Sequence, residues 1–324
     1  MELAKDNIEK PNLPFNNLYL ISGLVNGFNK GWMYLTTIFF LLIGYLLFQY
    51  ISFYPLINIL KQNGYSEEEI LSNANLLFNS EALKLDKNWV ILLELGMFVF
   101  AFIAFLLGLK KIHHKSLNSV ITGFQKFRIN RARFAFTIWA ILLLVSLLIN
   151  YLLNPLDYKI QFDLQGFIIS AIILLIFMPI QTGIEEIIFR GYLIQGMSQI
   201  FKNGFVPLII TSLLFGLAHM SNPEVQKFGW NIMLSYYIIF ALFMGCISLL
   251  DEGLELAIGI HFANNLVSGL MVSSSDSVLK PYSILEIKNE NPYIEIICWF
   301  FMASFTFLIF KKKYKWNNFN LLIK

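Results

Sequence analysis

Two adjacent carboxylates, Glu185 and Glu186, precede Arg190 in the apolar run Q-T-G-I-E-E-I-I-F-R-G-Y-L, and two further histidines of hydrophobic sequence follow at His219 and His261. Acid, base and imidazole are the side chains that move protons. In hydrocarbon an ionisable group costs at least about 2.5 kcal/mol unless it faces a bundle interior, a partner or a water-filled cavity, so such a cluster is a functional-site hypothesis by default.

Spacing gives each group an expected task. Glu186 and Arg190 are four residues apart with the acid first, so on a helix they share a face and should pair. Glu185 is turned from Glu186 by about 100° and is left free of that guanidinium. A carboxylate in a partly apolar cavity suits the role of general base toward water. The competing expectation is that both glutamates belong to a structural ion-pair network, and for Glu186 and Arg190 the fixing of geometry is the expected job. In L-L-F-G-L-A-H-M-S-N, Phe215 lies one turn before His219. If one helix runs from Gly166 to Phe201 and the chain turns at Asn203 and Gly204, Glu185 lies about 28 Å before the turn and His219 about 23 Å after it, at similar depth. This treats the Pro179 and Gly183 region as a bend rather than a break. In I-G-I-H-F-A-N-N-L, His261 and Asn265 share a helix face with Asn264 beside them. They could supply neutral donors for an oxyanion. They could equally form a polar clamp between helices, and spacing leaves both open.

The elements that must position these groups are membrane helices. Hydrophobic residues make up 57% of the 324 residues, charged residues 14%, and mean hydropathy is +0.63, which excludes an ordinary soluble domain. Apolar runs at 32–54, 89–109, 134–153, 166–182, 205–220, 228–250, 254–275 and 293–310 approach the ~20 residues that cross a bilayer as helix. The expected fold is therefore an all-α polytopic transmembrane helix bundle of about eight spans. Trp32, Trp89, Trp139 and Trp299 lie near run ends, as interfacial rings would.

Orientation follows from the basic residues. Lys110, Lys111, Lys115, Lys126, Arg128, Arg131 and Arg133 occupy 110–133 without an acid, and Lys311, Lys312, Lys313 and Lys315 follow the last run. Those stretches are expected in the cytoplasm, with both termini, and the acidic stretch 55–88 outside as a loop with one or two short helices. His113 and His114 are read as solvated residues of the basic loop. Residues 1–31 are expected to carry no signal peptide and to form a cytoplasmic segment. The remaining divisions are flanking helices over 32–165, a catalytic core over 166–275, and a last span with a basic tail over 276–324. Cys246 and Cys298 read as small apolar residues. The net charge of +3 points to no nucleic-acid partner.

Taken in order, Glu185-Glu186-x-x-x-Arg190, Phe215-x-x-x-His219 and His261-x-x-x-Asn265 resemble the three motifs of the CPBP family, also called Abi or type II CAAX prenyl endopeptidases. The resemblance covers about 166–269, and the flanking spans resemble the family only in being hydrophobic. It implies an intramembrane endopeptidase acting on a membrane-associated peptide or lipidated protein in the lipid bilayer. By that resemblance Glu185 activates water, His219 assists, and His261 with Asn265 holds the oxyanion. Members are often labelled metalloproteases, and a glutamate with two histidines could hold zinc. The H-E-x-x-H signature is lacking, so glutamate-activated water without a cofactor is the preferred expectation and zinc the lesser one. Two other classes stand beside it: an ion- or proton-coupled transporter, and a non-enzymatic bacteriocin-immunity or peptide-sequestering protein.

Overall fold

In lipid every backbone N–H and C=O must be satisfied within the chain, so long apolar runs without interior charge become helices. The computed structural model describes residues 16–274 and 277–323, and the expectations placed on residues 1–15 and on Ser275 as a span end lie outside the described residues. The helices are α1 (Leu18–Val25), α2 (Gly31–Gln62), α3 (Glu67–Ser72), α4 (Ser80–Leu83), α5 (Lys87–Gly108), α6 (Leu117–Ile121), α7 (Ile129–Leu153), α8 (Leu164–Glu186), α9 (Ile194–Phe201), α10 (Phe205–Ala218), α11 (Pro223–Phe228), α12 (Trp230–Leu250), α13 (Glu255–Met271) and α14 (Pro292–Tyr314). The protein is an all-α polytopic membrane bundle.

Among the described residues, six helices are long and apolar enough to cross a membrane: α2, α5 with its last turn, α7, α8 continued through α9, α12 and α14. The other two expected spans are α10 and α13, of 14 and 17 residues. Pro55 does not end the first span, because α2 continues through it to Gln62. The stretch expected outside therefore begins later than residue 55 and holds α3, a 3-10 turn and α4.

Contacts between turns sort them onto two ends. At the basic end, the Phe28 N–H donates to the His113 carbonyl, Thr122 pairs with Gly253, and the Trp316 indole donates to Asp251 at 3.2 Å. At the opposite end, the Tyr282 hydroxyl donates to Asp86 at 2.7 Å, Asn289 to Asp157 at 2.8 Å, and Lys227 pairs with Glu290 at 2.7 Å. A small sheet, absent from the sequence reading, closes that end. Strand β3 (Leu285–Ile287) lies between β1 (Tyr158–Ile160), antiparallel to it, and β2 (Val272–Ser273), parallel to it.

Two expectations about aromatic residues fail for one reason, packing. Trp32 and Trp89 are exposed near helix ends, but Trp139 and Trp299 are core residues, in ring contact at 6.1 Å and packed with Phe243. His113 is not solvated. A π-helical turn, Leu109–His113, brings its ring inward, where Nε2 meets the Tyr192 hydroxyl at 2.6 Å and Nδ1 the Phe28 carbonyl at 2.7 Å. His114 remains exposed.

The basic end is locked by buried charge. Arg128 bonds Glu255 through Nε at 2.9 Å and through its terminal nitrogen at 2.7 Å, lies 3.0 Å from Asp251, and Arg131 also pairs with Asp251. Burial pushes the Asp251 carboxyl up to about 6, with Arg128 and Arg131 pulling the other way. Since the folded value exceeds the unfolded one, the folded state holds the proton more tightly between roughly pH 4 and pH 6, and this contribution to stability is lost as pH rises through that window. Arg128→Ala strands the buried Glu255 carboxylate and leaves Asp251 to Arg131, and should cost roughly 3–5 kcal/mol in detergent unfolding at about pH 7.5, with a smaller deficit at about pH 5. An equal deficit at both values would remove charge as its source.

Candidate active site

The site lies where α8 meets α13. Helix α13 packs mainly on α7 and α8, and Gly259 permits the approach, since a Cβ there would stand 2.2 Å from the Ala132 carbonyl oxygen. On α8, Pro179 is accommodated inside the helix, and the chain passes from Glu186 into a π-helical turn, Ile187–Leu193. Such wide turns recur at functional sites. The Tyr19 hydroxyl braces this one, donating to the Arg190 carbonyl at 3.1 Å.

Glu186 is fully buried and serves two partners. Its Oε1 lies 3.2 Å from an Arg190 guanidinium nitrogen and 2.7 Å from His261 Nδ1. A carboxylate accepts, so Nδ1 carries the hydrogen and the imidazole presents Nε2 on its other side. That atom faces Glu185 Oε2 at 3.6 Å. The imidazole thus stands between the paired glutamates.

Glu185 is held from its own helix. Gln181, one turn earlier, donates through Nε2 to Glu185 Oε1 at 2.5 Å and accepts through Oε1 from Asn265 Nδ2 at 3.2 Å. Asn265 Oδ1 accepts from Asn264 at 3.2 Å, and Asn264 Oδ1 accepts from the Trp139 indole at 3.2 Å. Glu185 Oε2 is buried without a hydrogen-bond donor among the described residues.

Phe215 joins the second motif to the first. The Arg190 guanidinium lies 4.1 Å from the centre of its ring, a cation–π contact. The His219 ring stacks on Phe215 at 4.3 Å and on Tyr237 at 4.7 Å, and its Nδ1 donates to the Phe215 carbonyl at 2.7 Å. Behind it the Tyr237 hydroxyl bonds Glu224, which also accepts from Asn222 at 3.2 Å. His219 is half-buried and caps the end of α10.

The structure therefore brings Glu185, Glu186, Arg190 and His261 into direct contact, ties Asn265 to them through Gln181, and connects His219 through aromatic rings. Contacts place His261, rather than His219, beside Glu185. Gln181, Trp139, Asn264 and Tyr237 complete these contacts; the sequence sets Asn264 beside His261 and Trp139 at the interface, and gives Gln181 and Tyr237 no task. Gln181 has a signal in the sequence, an amide four residues before Glu185 in an apolar run.

Zinc does not fit the arrangement as it stands. Among the described residues no three His, Cys, Asp or Glu side chains come together as a metal-holding set. No step is derived through a metal.

Comparison with known proteins bears on the same segment. Residues 164–267 match the family described as type II CAAX prenyl endopeptidase Rce1-like. The chain carries an Rce1-like domain. That span holds all three motifs and is consistent with the CPBP family they resemble. The chain is also 28% identical over 230 residues to "Uncharacterized protein YyaK" of Bacillus subtilis (strain 168), covering 70% of this chain and 76% of the relative. No solved structure matches.

The two glutamates of the Rce1-like domain differ in what depends on them. Glu186→Ala leaves a buried guanidinium without its counter-charge and should cost about 3–5 kcal/mol in thermal unfolding. Glu185→Gln keeps an acceptor for Gln181 and should cost less than about 1 kcal/mol. Similar losses in the two variants would contradict this division.

Proposed function

We propose that the protein is an intramembrane endopeptidase in which Glu185 activates water to attack a peptide bond of a membrane-associated peptide or lipidated protein. The observation that carries this reading is the Glu185 carboxylate itself: one oxygen anchored by Gln181, the other buried, free of donors and 3.6 Å from His261 Nε2. An anchored carboxylate with a spare lone pair is aimed and ready to take a proton from water.

Attack makes a tetrahedral carbon and places negative charge on the former carbonyl oxygen. Asn265 spends one Nδ2 hydrogen on Gln181, which leaves the second for that oxyanion. His261, held through its Nδ1 proton by Glu186, offers an Nε2 hydrogen to the same centre when it is the imidazolium, in which both ring nitrogens carry hydrogen. On collapse, the proton taken by Glu185 passes to the leaving nitrogen. His219, whose Nδ1 is occupied by the Phe215 carbonyl, keeps Nε2 as a second proton-transfer atom. Glu186 and Arg190 hold His261 in place and do not meet substrate. The family match at 164–267 supports the peptidase class. The concentration of Lys and Arg at one end supports a cytoplasmic basic end, with both termini inside the plasma membrane.

In proteoliposomes supplied with fluorogenic peptides, one set carrying a farnesylated cysteine near the C terminus and one set unlipidated, the wild type should cleave and Glu185→Gln should be slower by about 10²–10⁴-fold. Cleavage by Glu185→Gln at the wild-type rate would remove Glu185 from its role. Failure of the wild type on both sets would overturn the endopeptidase reading.

A further inference from the structure

We propose that a one-way hydrogen-bond chain, Trp139 to Asn264 to Asn265 to Gln181 to Glu185, sets the direction of both the base and the oxyanion donor, making Trp139 and Gln181 positioning residues. What is positioned rests on the endopeptidase reading; the chain itself does not.

The four links measure 3.2, 3.2, 3.2 and 2.5 Å and cross from α7 to α13 to α8. A carboxamide can turn by half a rotation and exchange its donor and acceptor ends, so three amides in series could run in either direction. The two ends remove that freedom. The Trp139 indole can only donate, which obliges Asn264 to present its oxygen there and its nitrogen to Asn265. The same constraint passes through Asn265 and Gln181, so that an N–H reaches Glu185. An ionised carboxylate can only accept, and the far end agrees.

Reversal shows what the arrangement prevents. If Asn264 turned, Asn265 would donate backward, Gln181 would donate to Asn265, and the Gln181 carbonyl would face the Glu185 carboxylate, acceptor against acceptor. Asn265 would also direct its carbonyl, not its N–H, toward Gln181. Base and oxyanion donor would be misdirected together. Trp139 guards against this from outside the motifs, because without its N–H the half-buried Asn264 oxygen loses its donor and rotation becomes the relief.

The molecule contains its own control. Trp299 is 4% exposed, belongs to the same core cluster, touches the Trp139 ring, and its indole nitrogen has no hydrogen-bond partner among the described residues. It matches Trp139 in bulk and burial but has no place in the chain.

The test uses the full protein, labelled with ¹⁵N at tryptophan, in detergent micelles. The Trp139 indole resonance, assigned by its loss in Trp139→Phe, should move upfield in Gln181→Leu, three links away, while the Trp299 resonance stays in place. An unmoved Trp139 resonance would overturn the chain. In turnover, Trp139→Phe should lower kcat about tenfold with KM within about twofold, and Trp299→Phe should change neither by more than about twofold. Equal effects of the two substitutions would reduce Trp139 to packing and overturn its positioning role. If the wild type cleaves no peptide, the endopeptidase reading falls and the indole shift alone decides the wiring.

Discussion

A carboxylate removed from water is costly unless countercharge and hydrogen bonds meet it, and Glu186 is one with no exposure at all. Its two partners come from different places in the chain, Arg190 from the next turn and His261 from a helix 75 residues later. Their convergence fixes the distance between α8 and α13 and the rotation of each. The rest of the site inherits that geometry: His261 Nε2 is aimed at Glu185 because its Nδ1 is taken, and Asn265, one turn along α13, is brought to Gln181. Arg190 in turn rests on Phe215, so α10 is tied to the same pair of charges. A site of this kind is rigid because moving any member would expose an uncompensated charge to an apolar interior.

The ends of the bundle complement this rigidity. Arg128 and Arg131 engage Asp251 and Glu255 at the start of α13, so the helix bearing His261 is anchored just below the site. At the other end, a short sheet and side-chain pairs join segments from 157 to 290, including the stretch into which α13 emerges. Helix α13 is held above and below. Between these anchors its 17 residues need not span a bilayer alone, since longer neighbours surround it.

Much of this was legible in the sequence. Apolar runs marked the long helices, and the Glu186 and Arg190 pair followed from four-residue spacing. Three kinds of feature were not. The π-helical turns at 109–113 and 187–193 leave no mark in hydrophobic pattern, and one of them turned His113 from a surface residue into a buried one. Trp139 and Trp299 sit near run ends, where an indole suits lipid headgroups equally well; only tertiary packing distinguishes the two settings. Partner choice was the third. Helix lengths put Glu185 and His219 at similar depth, but depth does not fix rotation, and contacts set His261 beside Glu185 instead.

The brace from α1 has a consequence for biosynthesis. Tyr19 donates to the carbonyl of a residue 171 positions later, and Asn17 to that of Leu249, 232 positions later. The earliest described helix leaves the ribosome long before these acceptors exist. Its bond to the turn carrying Arg190 can form only after more than half of the polypeptide is made, and its bond to Leu249 only after α12 has followed. Maturation of the centre is thereby a late event, completed by a segment translated near the beginning.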